Sequence, residues 1–149
     1  RCAKLDLNMD GVRFTCQPNC TACCEVRGFV YLTEQDLRNA AKFLKMSAAD
    51  FEARYVYRTA GLLRLRKPPG SQCHFLNATG CSVHPAKPTQ CRTFPFWPEL
   101  VERPSEWKET AKYCPGIGQG PLIQIGTTLE MAHEMRSAYP FMYPPAKAR

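Results

Sequence analysis

Nine cysteines in a chain of 149 residues constrain this fold more than any other feature, because most of them are grouped. Cys16, Cys20, Cys23 and Cys24 fall within one run, CQPNCTACC, Cys73, Cys81 and Cys91 form a looser trio, and Cys114 stands apart beside Pro115 and Gly116. A secreted chain of this size would use its thiols as a disulfide framework. The odd total, the lack of a secretory pattern and the tight grouping point instead to metal ligation.

Thiolates are soft donors that select zinc, copper(I) or iron–sulfur clusters, and a site takes three or four of them. The short separations within the first group let a single turn of backbone aim several sulfurs at one centre. Side chains of neighbours such as Cys23 and Cys24 diverge, so one faces that centre and the other a second site or the core. Eight thiolates satisfy two four-coordinate centres, which leaves Cys2 as a free thiol. His74 and His84 each lie near a cysteine and offer imidazole as a substitute ligand, although a surface or hydrogen-bonded role is the plainer reading. His133 has no ligand partner at helical spacing and reads as structural.

The local patterns predict a small α+β fold, mainly helical, with short strands and irregular loops organised around cysteine-ligated metal. Residues 1–15 alternate weakly, as in a hairpin or extended lead-in, and GFVYL at 28–32 reads as a strand. Thr33 with Asp36 forms a capping signature before a helix over 34–44, and Ser47 with Asp50 announces a second over 48–57, together a helical hairpin. LLRLR at 62–66 alternates like a half-buried strand ended by Pro68, Pro69 and Gly70. Residues 73–114 are dense in Cys, Pro and aromatics and suit turns and short helices. After Pro121, Thr127 and Glu130 suggest a capped helix with Leu129, Met131, Ala132 and Met135 on its apolar face, before a proline-rich, extended tail. This places a metal-binding domain at 1–120, with a C-terminal helix and tail at 121–149 packing on it.

The formal charge of +7 and pI near 9.0 favour anionic partners, an acidic protein surface or RNA, and the face bearing Arg64 and Arg66 suits such docking. The broader expectation is a subunit of a larger protein assembly. No apolar stretch is long enough to span a membrane. The chain starts at Arg1 and not Met, so we expect an upstream segment to be missing here, whether cleaved, trimmed or not included, and an intracellular site: cytoplasm, or an organelle interior such as a plastid or mitochondrion if a targeting segment has been removed.

For catalysis the sequence offers no clear acid–base pair, oriented nucleophile or HExxH-type helix, and GIGQG at 116–120 lies in the wrong context for a nucleotide loop. An enzyme acting on its own is therefore not expected. Around Cys91, the run CRTFPFW brings Arg92 together with Phe94, Phe96 and Trp97. These residues read either as a shell that tunes a cluster or as a small aromatic core.

Taken in order, FTCQPNCTACC, GFVYLTEQDL, CHFLNATGCSVHPAKPTQCRTFPFWPE and CPGIG resemble the YkgJ-like cysteine-cluster family, the zinc- or iron-chelating CxxCxxCC domain, over roughly Phe14 to Gly120. Two positions depart from the family pattern: His84 stands where an aromatic Tyr is usual, and Lys87 where Arg precedes the proline, keeping charge but losing the bidentate guanidinium. One branch is similar to flagellin lysine N-methylases, without a recognisable cofactor-binding domain here. The resemblance implies metal binding through Cys16, Cys20, Cys23, Cys24, Cys73, Cys81, Cys91 and Cys114. It leaves open a 4Fe–4S cluster in electron transfer or sensing, or zinc in a basic structural adaptor.

Overall fold

The computed structural model describes residues 11–17, 20–25, 29–66, 73, 75–77 and 80–144. Within them lie β1 (Gly11–Phe14), α1 (Ala22–Glu25), β2 (Tyr31–Leu32), α2 (Glu34–Phe43), α3 (Ala48–Tyr55), β3 (Val56–Thr59) and β4 (Leu62–Leu65). Then follow β5 (Leu76–Asn77), β6 (Gly80–Cys81), a 3-10 turn (His84–Ala86), α4 (Thr89–Thr93), α5 (Pro98–Val101), α6 (Pro104–Ala111), β7 (Ile117–Gln124) and α7 (Ile125–Ala138). The fold is a small α+β arrangement in which every strand pairing among the described residues is antiparallel. No helix among the described residues is long and apolar enough to cross a membrane. Cys2, His74, Lys67 and the Pro68–Gly70 stop lie outside the described residues, as does the Cys24 side chain.

The chain forms two compact units, Arg1–Pro18 with Thr93–Arg149, and Asn19–Arg92. In the second, β4 lies between β2 and β3, and the helical hairpin of α2 and α3 covers one face of this sheet. The capping signatures act as expected. Thr33 accepts from the Asp36 backbone while the Asp36 carboxylate accepts from Thr33 N–H, and Ser47 accepts from Asp50 N–H. Each cap satisfies a donor that the first helical turn would otherwise leave unpaired. Leu37, Ala40, Ala41 and Phe51 from the helices pack on Leu32, Val56, Leu63 and Leu65 from the sheet, with Phe75 and Val83 closing the core.

Two expectations in this unit need correction. The helix expected to reach residue 57 ends at Tyr55, because the β-branched Val56 opens a strand paired with β4 through a turn at Ala60 and Gly61, both at positive φ. The strand expected over 28–32 is confined to Tyr31–Leu32 among the described residues. The alternation read from LLRLR holds, with Leu63 and Leu65 buried and Arg64 and Leu62 less so.

The other unit is built on the β1–β7 ladder, with α7 packed on both strands and on α5. Its core is aromatic: Phe96 stacks with Trp107 at 5.9 Å and meets the edge of Phe14 at 5.4 Å, while Val12 and Leu100 fill in beside them. The glycines of GIGQG serve this ladder. A Cβ on Gly116 would strike the Thr15 carbonyl, and one on Gly120 would strike the Thr15 side chain. The strand itself was not expected, and α7 starts earlier than the Thr127/Glu130 signature suggests, with Gln124 as its first flanking residue. Ala132 and Met135 are buried and Met131 is partly so, but Leu129 is 52% exposed and lies off the apolar face. Residues 139–143 form a turn, pinned where the Tyr143 hydroxyl donates to Glu99 at 2.6 Å, and the rest of the tail expected to be extended, 145–149, lies outside the described residues.

Candidate metal centre

Cys91 sits in the middle of α4, a five-residue helix too short to hold itself. Two side chains beside it fix the helix to the second unit. The Thr89 hydroxyl donates to Asp36 Oδ1 at 2.8 Å, so the buried carboxylate that caps α2 also anchors the start of α4. Gln90 behaves like a neighbouring strand: its Oε1 accepts from Tyr31 N–H at 2.9 Å and its Nε2 donates to the Phe29 carbonyl at 3.1 Å. Cys91 is thereby tied to the entry of β2 and to the cap of α2. These three residues carry no signature of their own in sequence. Asp36 was legible only as a helix cap, and Thr89 and Gln90 only as polar residues before a cysteine.

Cys23, Cys73 and Cys81 also belong to this unit. Cys81 lies in β6, opposite Leu76 in the β5–β6 hairpin, and Ser82 N–H bonds the Phe75 carbonyl. Phe75 is itself held in the core against Phe51 and Tyr55, and Cys73 and Cys81 pack against the same core. Cys23 comes from α1 and is exposed. Burial pushes the Cys91 thiol far above the usual cysteine range, and the charges that Cys73, Cys23 and Cys81 would carry push it further, with only Lys87 opposing. Cys81 is likewise raised by burial and by Cys23, against a hydrogen bond from the Val83 backbone and the charge of Lys87.

Cys23, Cys73, Cys81 and Cys91, drawn from four separate segments, are thus close enough for the charge of one to oppose ionisation of another. A soft cation reverses that balance, since it stabilises each thiolate and relieves their mutual repulsion. The donor set fits zinc or iron. Among the described residues, no three His, Cys, Asp or Glu side chains already stand at the spacing of a bound ion.

The other predicted ligands divide between the two units. Cys20 belongs to the second unit and is half-buried, whereas exposed Cys16 and buried Cys114 belong to the first, where Thr15 N–H bonds the Gly116 carbonyl at 3.1 Å. His84 is exposed at the start of the 3-10 turn, with its pKa lowered first by the charge of Lys87 and then by desolvation. His133 is exposed on α7, 3.5 Å from the Ser137 hydroxyl. Of the CRTFPFW run, Phe94 meets Trp97 at 5.1 Å and stacks with Tyr113 at 6.5 Å inside the first unit, and Arg92 lies 3.5 Å from the Thr89 hydroxyl in the second.

A family model, CxxCxxCC, described as "Putative zinc- or iron-chelating domain", matches residues 15–115. Among curated proteins, an uncharacterized protein of Methanocaldococcus jannaschii is 28% identical over 95 residues, which cover 62% of this chain and 50% of that protein. The chain thus spans about half the length of that relative. No solved structure matches it.

Proposed function

The chain belongs to the CxxCxxCC family of zinc- or iron-chelating domains, and from that membership we propose that Cys23, Cys73, Cys81 and Cys91 form one four-thiolate centre that holds an iron–sulfur cluster. The reading is supported by half-buried Cys91, whose ionisation the charges of Cys73, Cys23 and Cys81 would oppose. Four thiolates are the ligand set of a 4Fe–4S cluster, and such a centre would serve electron transfer or sensing within a larger assembly. Cys16, Cys20, Cys24 and Cys114 stay among the eight ligands that the family resemblance implies.

The second reading is a zinc ion that staples the unit. It is favoured by the poverty of regular structure around the ligands: Cys23 lies in a four-residue helix, Cys81 in a two-residue strand and Cys91 in a five-residue helix. Structural zinc supplies folding free energy where local structure cannot.

Anaerobic purification followed by metal and acid-labile sulfide analysis separates the two. A brown protein absorbing near ~400 nm with stoichiometric iron and sulfide is the expected result, and colourless protein with stoichiometric zinc selects the staple. Cys91→Ser and Cys73→Ser should each abolish loading, while Cys114→Ala should retain this centre. Full metal content in both serine variants would sink the four-thiolate assignment.

A further inference from the structure

We propose that the face of the β2–β4–β3 sheet opposite α2 and α3 binds single-stranded nucleic acid, with bases stacking on Tyr57 and Phe29 and phosphates meeting Arg64 and Arg66. Strand register puts Tyr31, Arg64 and Tyr57 in one row across the sheet, on the face opposite Leu32, Leu63 and Leu65. The Arg64 guanidinium lies 4.3 Å from the Phe29 ring centre and 5.1 Å from that of Tyr57, and Arg66 lies 5.6 Å from Tyr57. Arg66 is held in place by donating its Nε–H to the Val56 carbonyl at 3.1 Å.

Through these contacts Phe29, Arg64, Tyr57 and Arg66 alternate ring and guanidinium. Phe29 and Tyr57 are each 46% exposed. A guanidinium stacked on a ring keeps its N–H edges for anions, and an aromatic next to it offers a π-face that any base can use. Of the carboxylates in this unit, Glu25 ends α1, while Glu34, Asp36, Asp50 and Glu52 stand on α2 and α3, the helices on the other face of the sheet. Positive charge and stacking surface therefore share one face from which the acids of α2 and α3 are absent, in a chain of net charge +7. An acidic protein would meet the two arginines, but the rings interleaved with them match a chain of alternating phosphates and bases.

The test is fluorescence anisotropy of the full, metal-loaded chain with labelled oligouridine and oligodeoxythymidine of about 12 nucleotides, titrated at rising salt. Binding that weakens with salt is expected for at least one of them. Tyr57→Leu should weaken it about tenfold and Tyr57→Phe should restore it, as loss and return of one stacking platform require. Arg64→Ala should lower the salt slope by about one. Metal content and circular dichroism check each variant's fold, and Phe29→Ser replaces Tyr57→Leu if the latter misfolds. No binding at about 50 mM salt overturns the proposal. So does binding in which Arg64→Ala matters and neither ring does, the result expected if the face meets an acidic protein. The outcome is independent of which metal the cysteines hold.

Discussion

The two units solve the problem of a small core differently. The first joins an antiparallel ladder between β1 and the eight-residue β7 to a fourteen-residue helix, and fills the space with Phe14, Phe96 and Trp107. The second has a competent core between its helical hairpin and its sheet, but its ligand segments rest on elements of two to five residues. Aromatic burial can hold the first without help, at roughly 25 cal/mol for each Å² of apolar surface withdrawn from water. In the second, the segments that carry Cys23, Cys73, Cys81 and Cys91 gain little from local hydrogen bonding and repel one another when ionised. A metal at that point would offset both deficits.

Withdrawing the metal should break this comparison most widely. Structural metal in small cysteine sites is worth on the order of 10 kcal/mol, so chelation should expose the amides of α4 and the β5–β6 hairpin to fast hydrogen exchange. The β1–β7 ladder should keep its protection. Equal loss in both units would show that the first also depends on the metal. The same centre sets a pH direction. Burial holds the protons on Cys81 and Cys91 above the ordinary range, and metal must displace them, so loading should weaken as pH falls and proton release should accompany it. In metal-free protein the sign reverses. The raised thiol pKa values contribute stability below the unfolded-state value, and that contribution is lost as pH rises toward the folded-state value.

A smaller effect should come from Asp36, which serves the helix and the ligand segment together. Asp36→Ala removes the acceptor for both Thr33 N–H and the Thr89 hydroxyl. Losing a cap and leaving buried donors unpaired should cost roughly 2–4 kcal/mol in urea unfolding. Because Thr89 fixes the start of α4, metal affinity should fall about tenfold, within the range for groups that orient ligands from behind. Thr89→Val keeps the shape but not the donation, so it should lower metal affinity with a smaller stability loss of about 1 kcal/mol. If Asp36→Ala lowers stability and leaves metal competition unchanged, the carboxylate is a helix cap and nothing more.

What could be read in advance follows from the range of each interaction. Thr33 with Asp36 and Ser47 with Asp50 announce their helices because a cap acts within four residues, and Leu63 and Leu65 reveal a strand because alternation is local. The strands β3 and β7 were hidden. Residues 56–57 continued the helical pattern, and the Ala60–Gly61 turn lacks an Asn-Gly or Asp-Gly signal. In β7, Gly118, Gly120 and Pro121 read as breakers, yet pairing with β1 from the far end of the chain makes them a strand. Thr127 misplaced the start of α7 because the helix follows β7 directly at Gln124, without a side-chain cap. The candidate site divides the same way. Cysteine identity and number are sequence facts, but what anchors the Cys91 segment depends on tertiary contacts such as Gln90 with Tyr31 and Phe29, which no spacing encodes.

The finest difference lies at the rim of the second unit, where Arg58 of β3 ties the sheet to both helices. Its guanidinium meets Glu34 of α2 and Glu52 of α3, each at 2.6 Å. The hydrogen bond from Arg58 is the main reason both glutamates ionise below their ordinary value of 4.5. Depressed carboxylate pKa values contribute stability above the unfolded-state value and lose it as pH falls through the folded-state one. The difference in melting temperature between wild type and Arg58→Met should therefore be constant from neutrality down to pH 4.5 and close below it. All three groups are solvated, so the difference should also shrink with added salt. The ladder of the first unit contains none of these pairs, and its exchange should not respond to the substitution. A difference that persists at pH 3, or that salt leaves intact, would mean the Arg58 side chain contributes through packing on the sheet and not through charge.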